Sequence, residues 1–262
     1  MRFLSRPGRQ SSCAPVQISE KNGVRLLHLG GPAVQSAMRI RAPFELELEY
    51  TRAMMAFVLF HATAHDIALI GLGGGSLAKF IHRRLQPVRL TALEINPDVV
   101  AAARAYFLLP ADDERLTVRV ADGAAYVREQ RQTLDVLLVD GYDAERIVED
   151  LASVDFYRAC LAALRPGGVA VFNLWGSDRR FETYRRWLED AFAGRILLLP
   201  AEQKGNVVVF CFKPPLPDLG FMALRARAQQ CQRELGLEFS RFLDRLCSCN
   251  PCTASGFALA PT

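Results

Sequence analysis

Short apolar runs alternate with longer stretches of mixed polarity through the middle of the chain. The first run, 67–70, ends at Gly71 and has the length of a strand that is buried on both faces. Comparable runs follow at 88–93, 116–120, 135–139 and 169–172. The stretches between them predict helices. The helix that begins near Asn96 has a proline at an early position, where the missing N–H costs nothing.

The order of these elements predicts the sheet topology. Strands that alternate with helices form right-handed βαβ units, so we expect a mostly parallel sheet with helices on both faces. Two further runs, 196–199 and 207–212, are separated only by 200–206, which permits only an antiparallel pairing. This ending is typical of the class I S-adenosylmethionine-dependent transferase fold and not of a dinucleotide-binding domain. The pattern therefore predicts a doubly wound, Rossmann-like α/β domain of seven strands, the last one antiparallel.

Smaller units are predicted on either side of this domain, which we place at 65–213. Residues 1–20 are polar and irregular, and we expect them to be disordered. Residues 21–64 should form a short β-region, with a strand near 25–29, and a helix over 45–64. Residues 214–262 predict a helical extension, with helix over about 221–245, and then a flexible tail.

The overall composition excludes several classes of partner. A formal net charge of +4 is too weak to indicate a surface for nucleic acid or for an anionic membrane. No apolar run approaches the roughly 18 residues that a membrane-spanning helix needs, and the first residues lack the apolar segment of a signal peptide. We therefore expect a cytoplasmic protein that binds neither nucleic acid nor membrane.

Seven cysteines are present, and Cys247, Cys249 and Cys252 are close together near the C-terminus. A structural zinc site needs four ligands, and no fourth is evident nearby because the histidines are far away in the sequence. We expect reduced thiols in a frayed tail and no metal site.

Four groups of residues fall at the ends of successive predicted strands, where open α/β sheets bind their ligands. The first is a loop with Gly71, Gly73 and Gly75, which lets the backbone approach a ligand closely. NAD, FAD and S-adenosyl binders all use such a loop, so it does not choose among them. The second is Glu94, 23 residues after Gly71, whose carboxylate can accept hydrogen bonds from both ribose hydroxyls.

The third group is Asp122-Gly123, which can accept a hydrogen bond from the exocyclic amine of adenine. The fourth contains Asp140, Tyr142 and Asp143, in which two carboxylates flank an aromatic ring. An amine substrate is protonated at neutral pH, and an acidic side chain beside it can hold the cation and then accept its proton. Each group alone could be a turn or a solvated loop. Together they indicate an adenosyl-binding cleft that also handles an amine.

From residue 67 to 175 the sequence resembles the spermidine synthase family. That family has a glycine-rich first loop, an acidic residue ending strand two, an Asp-Gly pair after strand three and an Asp-x-x-Asp motif after strand four. The segments that contain Gln35 and Tyr50 are also similar to it.

The resemblance implies that decarboxylated S-adenosylmethionine is the co-substrate, with no prosthetic group. Its aminopropyl group would move to a diamine such as putrescine, giving spermidine and 5′-methylthioadenosine. The resemblance also implies a role for each site residue. Asp140 would be the base, the amine would be bound by Gln35, Tyr50, Tyr142 and Asp143, and the donor would be bound by Gly71, Gly73, Gly75, Glu94, Asp122 and Gly123.

Several positions depart from the family pattern. Gly74 stands where the family has an Asp that grips the donor's amino group, and Asn173 stands where it has a Gln. The N-terminal β-region, which helps the family to dimerise, is short here, so a homodimer is possible but is not required by the sequence. Three alternatives follow: a methyltransferase that uses intact S-adenosylmethionine, a non-catalytic relative that binds a nucleoside or polyamine, and, least favoured, an NAD oxidoreductase.

Overall fold

The computed structural model describes residues 14–141, 149–202 and 205–259. The strands are β1 (Val16–Lys21), β2 (Val24–Leu29), β3 (Val34–Arg39), β4 (Asp66–Ile70), β5 (Arg89–Glu94), β6 (Leu116–Val120), β7 (Leu134–Val139), β8 (Leu164–Trp175), β9 (Ile196–Pro200) and β10 (Asn206–Phe212). The helices are α1 (Glu49–Met54), α2 (Ser76–Arg84), α3 (Pro97–Tyr106), α4 (Gly123–Glu129), α5 (Val154–Ala163), α6 (Phe181–Ala191), α7 (Phe221–Leu235) and α8 (Phe239–Cys249). Short 3₁₀ segments lie at Met55–Leu59 and Glu149–Leu151.

The main sheet has seven strands in the order β6-β5-β4-β7-β8-β10-β9. The pairs from β6 to β8 are parallel, whereas β10 runs antiparallel to both β8 and β9. The doubly wound α/β fold with a mostly parallel sheet is therefore confirmed. The antiparallel strand is last in the sequence, but it lies between β8 and β9 and not at the edge of the sheet.

Strand β7 lies at the centre of this sheet and is buried along its whole length. Its side chains alternate between the two faces: Val136 and Leu138 pack in one apolar layer, and Leu137 and Val139 in the other. The first layer includes side chains of α1, α2, α7 and α8, and the second includes those of α4, α5 and α6. Burial on both faces explains why these strands are continuous apolar runs in the sequence.

A three-stranded antiparallel sheet, β1-β2-β3, precedes the main domain. Its first strand begins at Val16, inside the segment that we expected to be disordered, so that expectation is wrong for residues 16–20. In β1 only Val16 and Ile18 pack against the small core below, so the strand shows little alternation of apolar and polar residues in its sequence. The pairing with β2, and not the composition of β1, holds this strand in place.

The helix predicted over 45–64 is much shorter in the structure. Only Glu49–Met54 is α-helical, and the chain continues as the 3₁₀ segment Met55–Leu59. All five residues of that segment are buried, so the apolar run that suggested a long helix instead fills the core beneath the sheet.

The C-terminal region forms two helices and an ordered end. Gly236 adopts a left-handed conformation at φ 72° and ends α7, which divides the single helix expected over 221–245. The chain after about residue 245 was expected to be a flexible tail, but α8 continues to Cys249 and the segment 250–259 packs against the domain. Asn250 exchanges hydrogen bonds with the backbone N–H and C=O of Leu198 at 2.7 and 2.8 Å, and Phe257 is buried.

Candidate functional site

A cleft opens at the edge of the sheet where the parallel strands end. It gathers residues from the ends of four parallel strands, together with β3 and α1. Eight residues predicted for the site line it: Gln35, Tyr50, Gly71, Gly73, Glu94, Asp122, Gly123 and Asp140. Tyr142 and Asp143 lie outside the described residues.

Two of the three loop glycines face this cleft. Gly71, at φ 87°, lies so close to the end of the neighbouring strand β7 that a Cβ atom would stand 2.1 Å from the carbonyl oxygen of Asp140. Gly75 was predicted with them, but it is not among the lining residues. It caps α2 at φ 73°, and a Cβ there would meet Leu109 at 2.8 Å. Its role in the structure is to start the helix and to pack closely beneath it.

Glu94 ends β5, and backbone groups fix both of its carboxylate oxygens. Oε2 accepts the N–H of Leu72 and Oε1 accepts the N–H of Asn96, each at 3.0 Å. A carboxylate oxygen has two lone-pair directions, so both oxygens can still accept from a ligand on the cleft side. The carboxylate is therefore oriented before any ligand binds.

Asp122 is the N-cap of α4. Its Oδ1 accepts the N–H groups of Ala124 at 2.8 Å and Ala125 at 3.3 Å. This cap satisfies free N–H groups of the first turn and holds the side chain at the rim of the cleft. Gly123 follows in close contact with the end of β4, because a Cβ there would meet Ile70 at 2.5 Å.

Asp140 lies at the base of the cleft and is held by two neutral donors. Tyr50 Oη donates to its Oδ2 at 3.1 Å, and Asn173 Nδ2 donates to its Oδ1 at 2.8 Å. Burial raises the pKa of Asp140 to about 6, although both hydrogen bonds lower it, and the charge of Glu94 raises it further. At pH 7 the carboxylate form dominates, yet the group is a stronger base than an exposed aspartate.

Several residues that line the cleft were not predicted as site residues, and three of them come from loops beyond the strand ends. Asp150 and Leu151 come from the 3₁₀ segment after strand β7, and Ile95 follows Glu94 with 58% of its surface exposed. An isoleucine directly after an acidic strand end is a signal that the sequence offered, since ligand pockets are lined mainly by apolar side chains. Asn173, by contrast, is a site residue only through its contact with Asp140.

Gly74, where the family has an Asp, is closely surrounded. A Cβ at this position would lie 2.7 Å from Phe107 Cδ1 and 2.8 Å from Ser36 Oγ. Both neighbours are buried, so neither side chain can move aside freely. The packing of the loop is adapted to glycine, and an aspartate could not be restored there without a shift of the surrounding side chains.

Within 14–141, 149–202 and 205–259 no helix is long and apolar enough to span a membrane. The same described residues contain no cluster of three or more side chains that could hold a metal ion.

The fold and the cleft define a class of protein: a Rossmann-like α/β domain that gathers three carboxylates, those of Glu94, Asp122 and Asp140, in one cleft at the strand ends. Residues 47–177 match the model of the spermine/spermidine synthase domain, and the chain belongs to that family. It is 43% identical to a polyamine aminopropyltransferase of Chromobacterium violaceum over 239 residues, which cover 91% of this chain and 92% of the relative. The polyamine aminopropyltransferase of Neisseria meningitidis serogroup A is 42% identical over 255 residues, 97% of each chain.

A solved structure supports the same fold. The probable spermidine synthase of Corynebacterium glutamicum aligns over the full length of both chains with a TM-score of 0.68 at 16% identity.

Proposed function

We propose that this protein is a polyamine aminopropyltransferase. It moves the aminopropyl group of decarboxylated S-adenosylmethionine to a diamine such as putrescine. The observation that carries the proposal is the environment of Asp140, a carboxylate held by Tyr50 and Asn173 in the same cleft as Glu94 and Asp122. This arrangement combines a base for an amine with carboxylates for a nucleoside. Membership of the family supports the same reaction.

The donor would bind along the ends of β5 and β6. Glu94, already oriented by two backbone N–H groups, accepts from the ribose hydroxyls, and Asp122 accepts from the adenine amine. The apolar side chains of Ile95 and Leu151 offer surfaces for the adenine ring. Gly71 and Gly73 let the backbone approach the donor, since a side chain at Gly71 would collide with the next strand.

The acceptor amine would bind against Asp140 and Tyr50. It arrives protonated, and the carboxylate first holds the ammonium and then takes its proton. The freed lone pair forms the N–C bond while the C–S bond breaks, and its electron pair goes to sulfur, which leaves as a neutral thioether. The sulfonium supplies the driving force, so the protein needs only to align the two substrates and to accept the proton.

The loop at Gly74 bears on which donor is used. The absence of the usual carboxylate removes one partner for the donor's amino group, and no room for such a side chain exists there. Asp140 and Glu94 supply negative charge nearby that intact S-adenosylmethionine, with its extra carboxylate, would meet unfavourably. This charge favours the decarboxylated donor over the intact one.

The decisive experiment is a product screen by mass spectrometry with both donors and several diamines. We expect 5′-methylthioadenosine and an aminopropylated amine from the decarboxylated donor. Formation of S-adenosylhomocysteine from the intact donor would identify a methyltransferase instead. Binding of 5′-methylthioadenosine without turnover would identify a non-catalytic relative.

A further inference from the structure

Strand β10 reaches the cleft from the opposite direction to its neighbours. The parallel strands place the residues at their carboxyl ends in the site, but an antiparallel strand begins at that same edge. The first residue of β10 is Asn206, which is paired in register with Trp175 at the end of β8. An amino-terminal strand residue therefore lies next to the cleft.

Asn206 is buried and is bonded to the residue that holds Asp140. Its Nδ2 donates to Asn173 Oδ1 at 3.0 Å, and Asn173 Nδ2 in turn donates to Asp140 Oδ1 at 2.8 Å. Both asparagines are less than 10% exposed, at 7% and 4%. On β8 and β10 they are diagonal neighbours on one face, since Asn173 pairs in register with Val208.

The backbone holds Asn206 in place on both sides. Its C=O accepts the N–H of Ala201 at 2.6 Å, and the C=O of the preceding Gly205 accepts the N–H of Gly176 at 2.6 Å. The position of its side chain is therefore set by the pairing of β10 with both neighbouring strands.

A primary amide has one end that accepts and one that donates, and a half-turn exchanges them. A donor at Asn206 favours the orientation of Asn173 in which the carbonyl faces Asn206 and the NH₂ faces Asp140. The reverse orientation would point a carbonyl oxygen at the carboxylate. We propose that Asn206 is a positioning residue, which sets the orientation of the Asn173 amide and thereby keeps a hydrogen-bond donor on the base Asp140.

Other groups also act on Asp140 and must be held constant in any test. Among the described residues, the titratable groups that share its cleft are Tyr50 on α1, Glu94 at the end of β5, Asp122 at the start of α4 and Asp150 in the 3₁₀ segment. None of these is altered in the variants below.

The test compares Asn206→Asp and Asn206→Leu, two replacements of similar size. The carboxylate introduced by Asn206→Asp can only accept a hydrogen bond. The Asn173 amide should therefore turn around, so that its NH₂ faces position 206 and its carbonyl faces Asp140. The expected result is a pKa of Asp140 raised by about one unit or more. The leucine supplies neither donor nor acceptor and should raise that pKa by about half as much, because Asn173 loses the partner that held its carbonyl. The pKa is read from the carboxyl ¹³C signal, assigned with Asp140→Asn.

A new charge at position 206 could also raise the pKa through space, and a double variant separates the two effects. In an Asn173→Leu background no amide remains to be turned, so Asn206→Asp should produce a clearly smaller shift. The ionisation of the introduced carboxyl group is followed in the same spectra. Equal shifts in the two backgrounds would overturn the proposal, as would an unchanged Asp140 titration in both single variants.

Asn250→Leu is the matched control. It removes another side-chain amide that bonds to a strand of the sheet, at Leu198, and should lower stability without moving the titration of Asp140. A comparable shift in this control would reduce the Asn206 effect to general destabilisation and would overturn the proposal.

The kinetic consequence rests on the proposed function. In the Asn206 variants the acidic limb of kcat/KM should move to higher pH by the same amount as the pKa. The NMR titration needs no turnover, so it measures the effect of Asn206 on Asp140 even in a protein that fails to transfer an aminopropyl group. If the Asp140 titration shifts in the Asn206 variants but the wild type transfers no aminopropyl group, the result would contradict only the proposed function.

Discussion

Two aspartates at opposite ends of strand β7 have contrasting environments. Asp135, near the beginning of the strand, accepts the N–H groups of His65 and Asp66 at 2.8 and 2.9 Å and pairs with Arg165 at 2.9 Å. Burial by itself would raise its pKa, but these backbone and guanidinium hydrogen bonds outweigh burial, and the net pKa is lowered. Asp140 lies just after the strand, and among the described side chains only the neutral donors Tyr50 and Asn173 are at hydrogen-bond distance from it. Burial and the like charge of Glu94 outweigh these two bonds, and the pKa of Asp140 is raised to about 6.

The difference shows what separates a structural carboxylate from a reactive one in this fold. Asp135 connects β7 to the first residue of β4 through a backbone hydrogen bond and forms an ion pair with Arg165, which compensates its charge. At the other end of β7, Asp140 lines the cleft and no cation reaches it among the described contacts, which leaves its carboxylate free of charge compensation. The following predictions test this contrast, in order of decreasing effect.

Asp140→Asn should abolish most of the activity while the protein stays folded. Loss of a general base is expected to lower kcat by about 10²–10⁴-fold, measured as product formed per second. The folded pKa of Asp140 lies above the ordinary value of 3.8, so its contribution favours folding below that value and is lost as the pH rises through about 6. The variant should therefore be more stable than the wild type in thermal unfolding at pH 8. A variant with near-normal kcat would contradict the role of Asp140.

Asp135→Asn should have the opposite profile, with catalysis preserved and stability lost. Removal of the charge weakens the bonds to Arg165 and to two backbone N–H groups, and the free energy of unfolding should fall by about 1–3 kcal/mol at pH 7. The folded pKa is lowered, so this stabilisation is present above the unfolded pKa and disappears as the pH falls through the folded pKa. Urea unfolding at several pH values measures it, and a difference that grows towards acid would be inconsistent with the ion pair.

Tyr50→Phe should give the smallest effect, a shift in pH dependence. The phenol donates to Asp140, and its hydrogen bond lowers the pKa of the carboxyl group. Without it the acidic limb of kcat/KM should move to higher pH by about 0.5–1 unit. The rate at pH 8.5 should change less than the rate at pH 6. Equal losses at both pH values would indicate that Tyr50 acts only by contacting the substrate.

Much of the candidate site could be predicted because parallel strands end at one edge of a sheet. Glu94, Asp122 and Asp140 each follow an apolar run closely, so their meeting in one cleft followed from the order of the elements alone. Gly75 was predicted to bind the donor, and the structure places it at the helix cap outside the lining of the cleft, because a glycine needed for helix capping and packing looks the same in sequence as one that faces a ligand. The sequence did not predict that residues 16–20 and 250–259 have a defined structure. Both segments are held by hydrogen bonds to other parts of the chain, which local composition does not reveal.

The sequence by itself determined the alternation of strands and helices, the strand-end carboxylates and the antiparallel hairpin at the end of the domain, since each depends on local spacing. Only the tertiary structure decided that β10 inserts between β8 and β9, because strand order depends on which faces and edges can be buried together. That insertion places Asn206 beside Asn173 and connects it to Asp140. A residue at the start of an antiparallel strand enters the site for the same geometric reason that the others enter it from the ends of parallel ones.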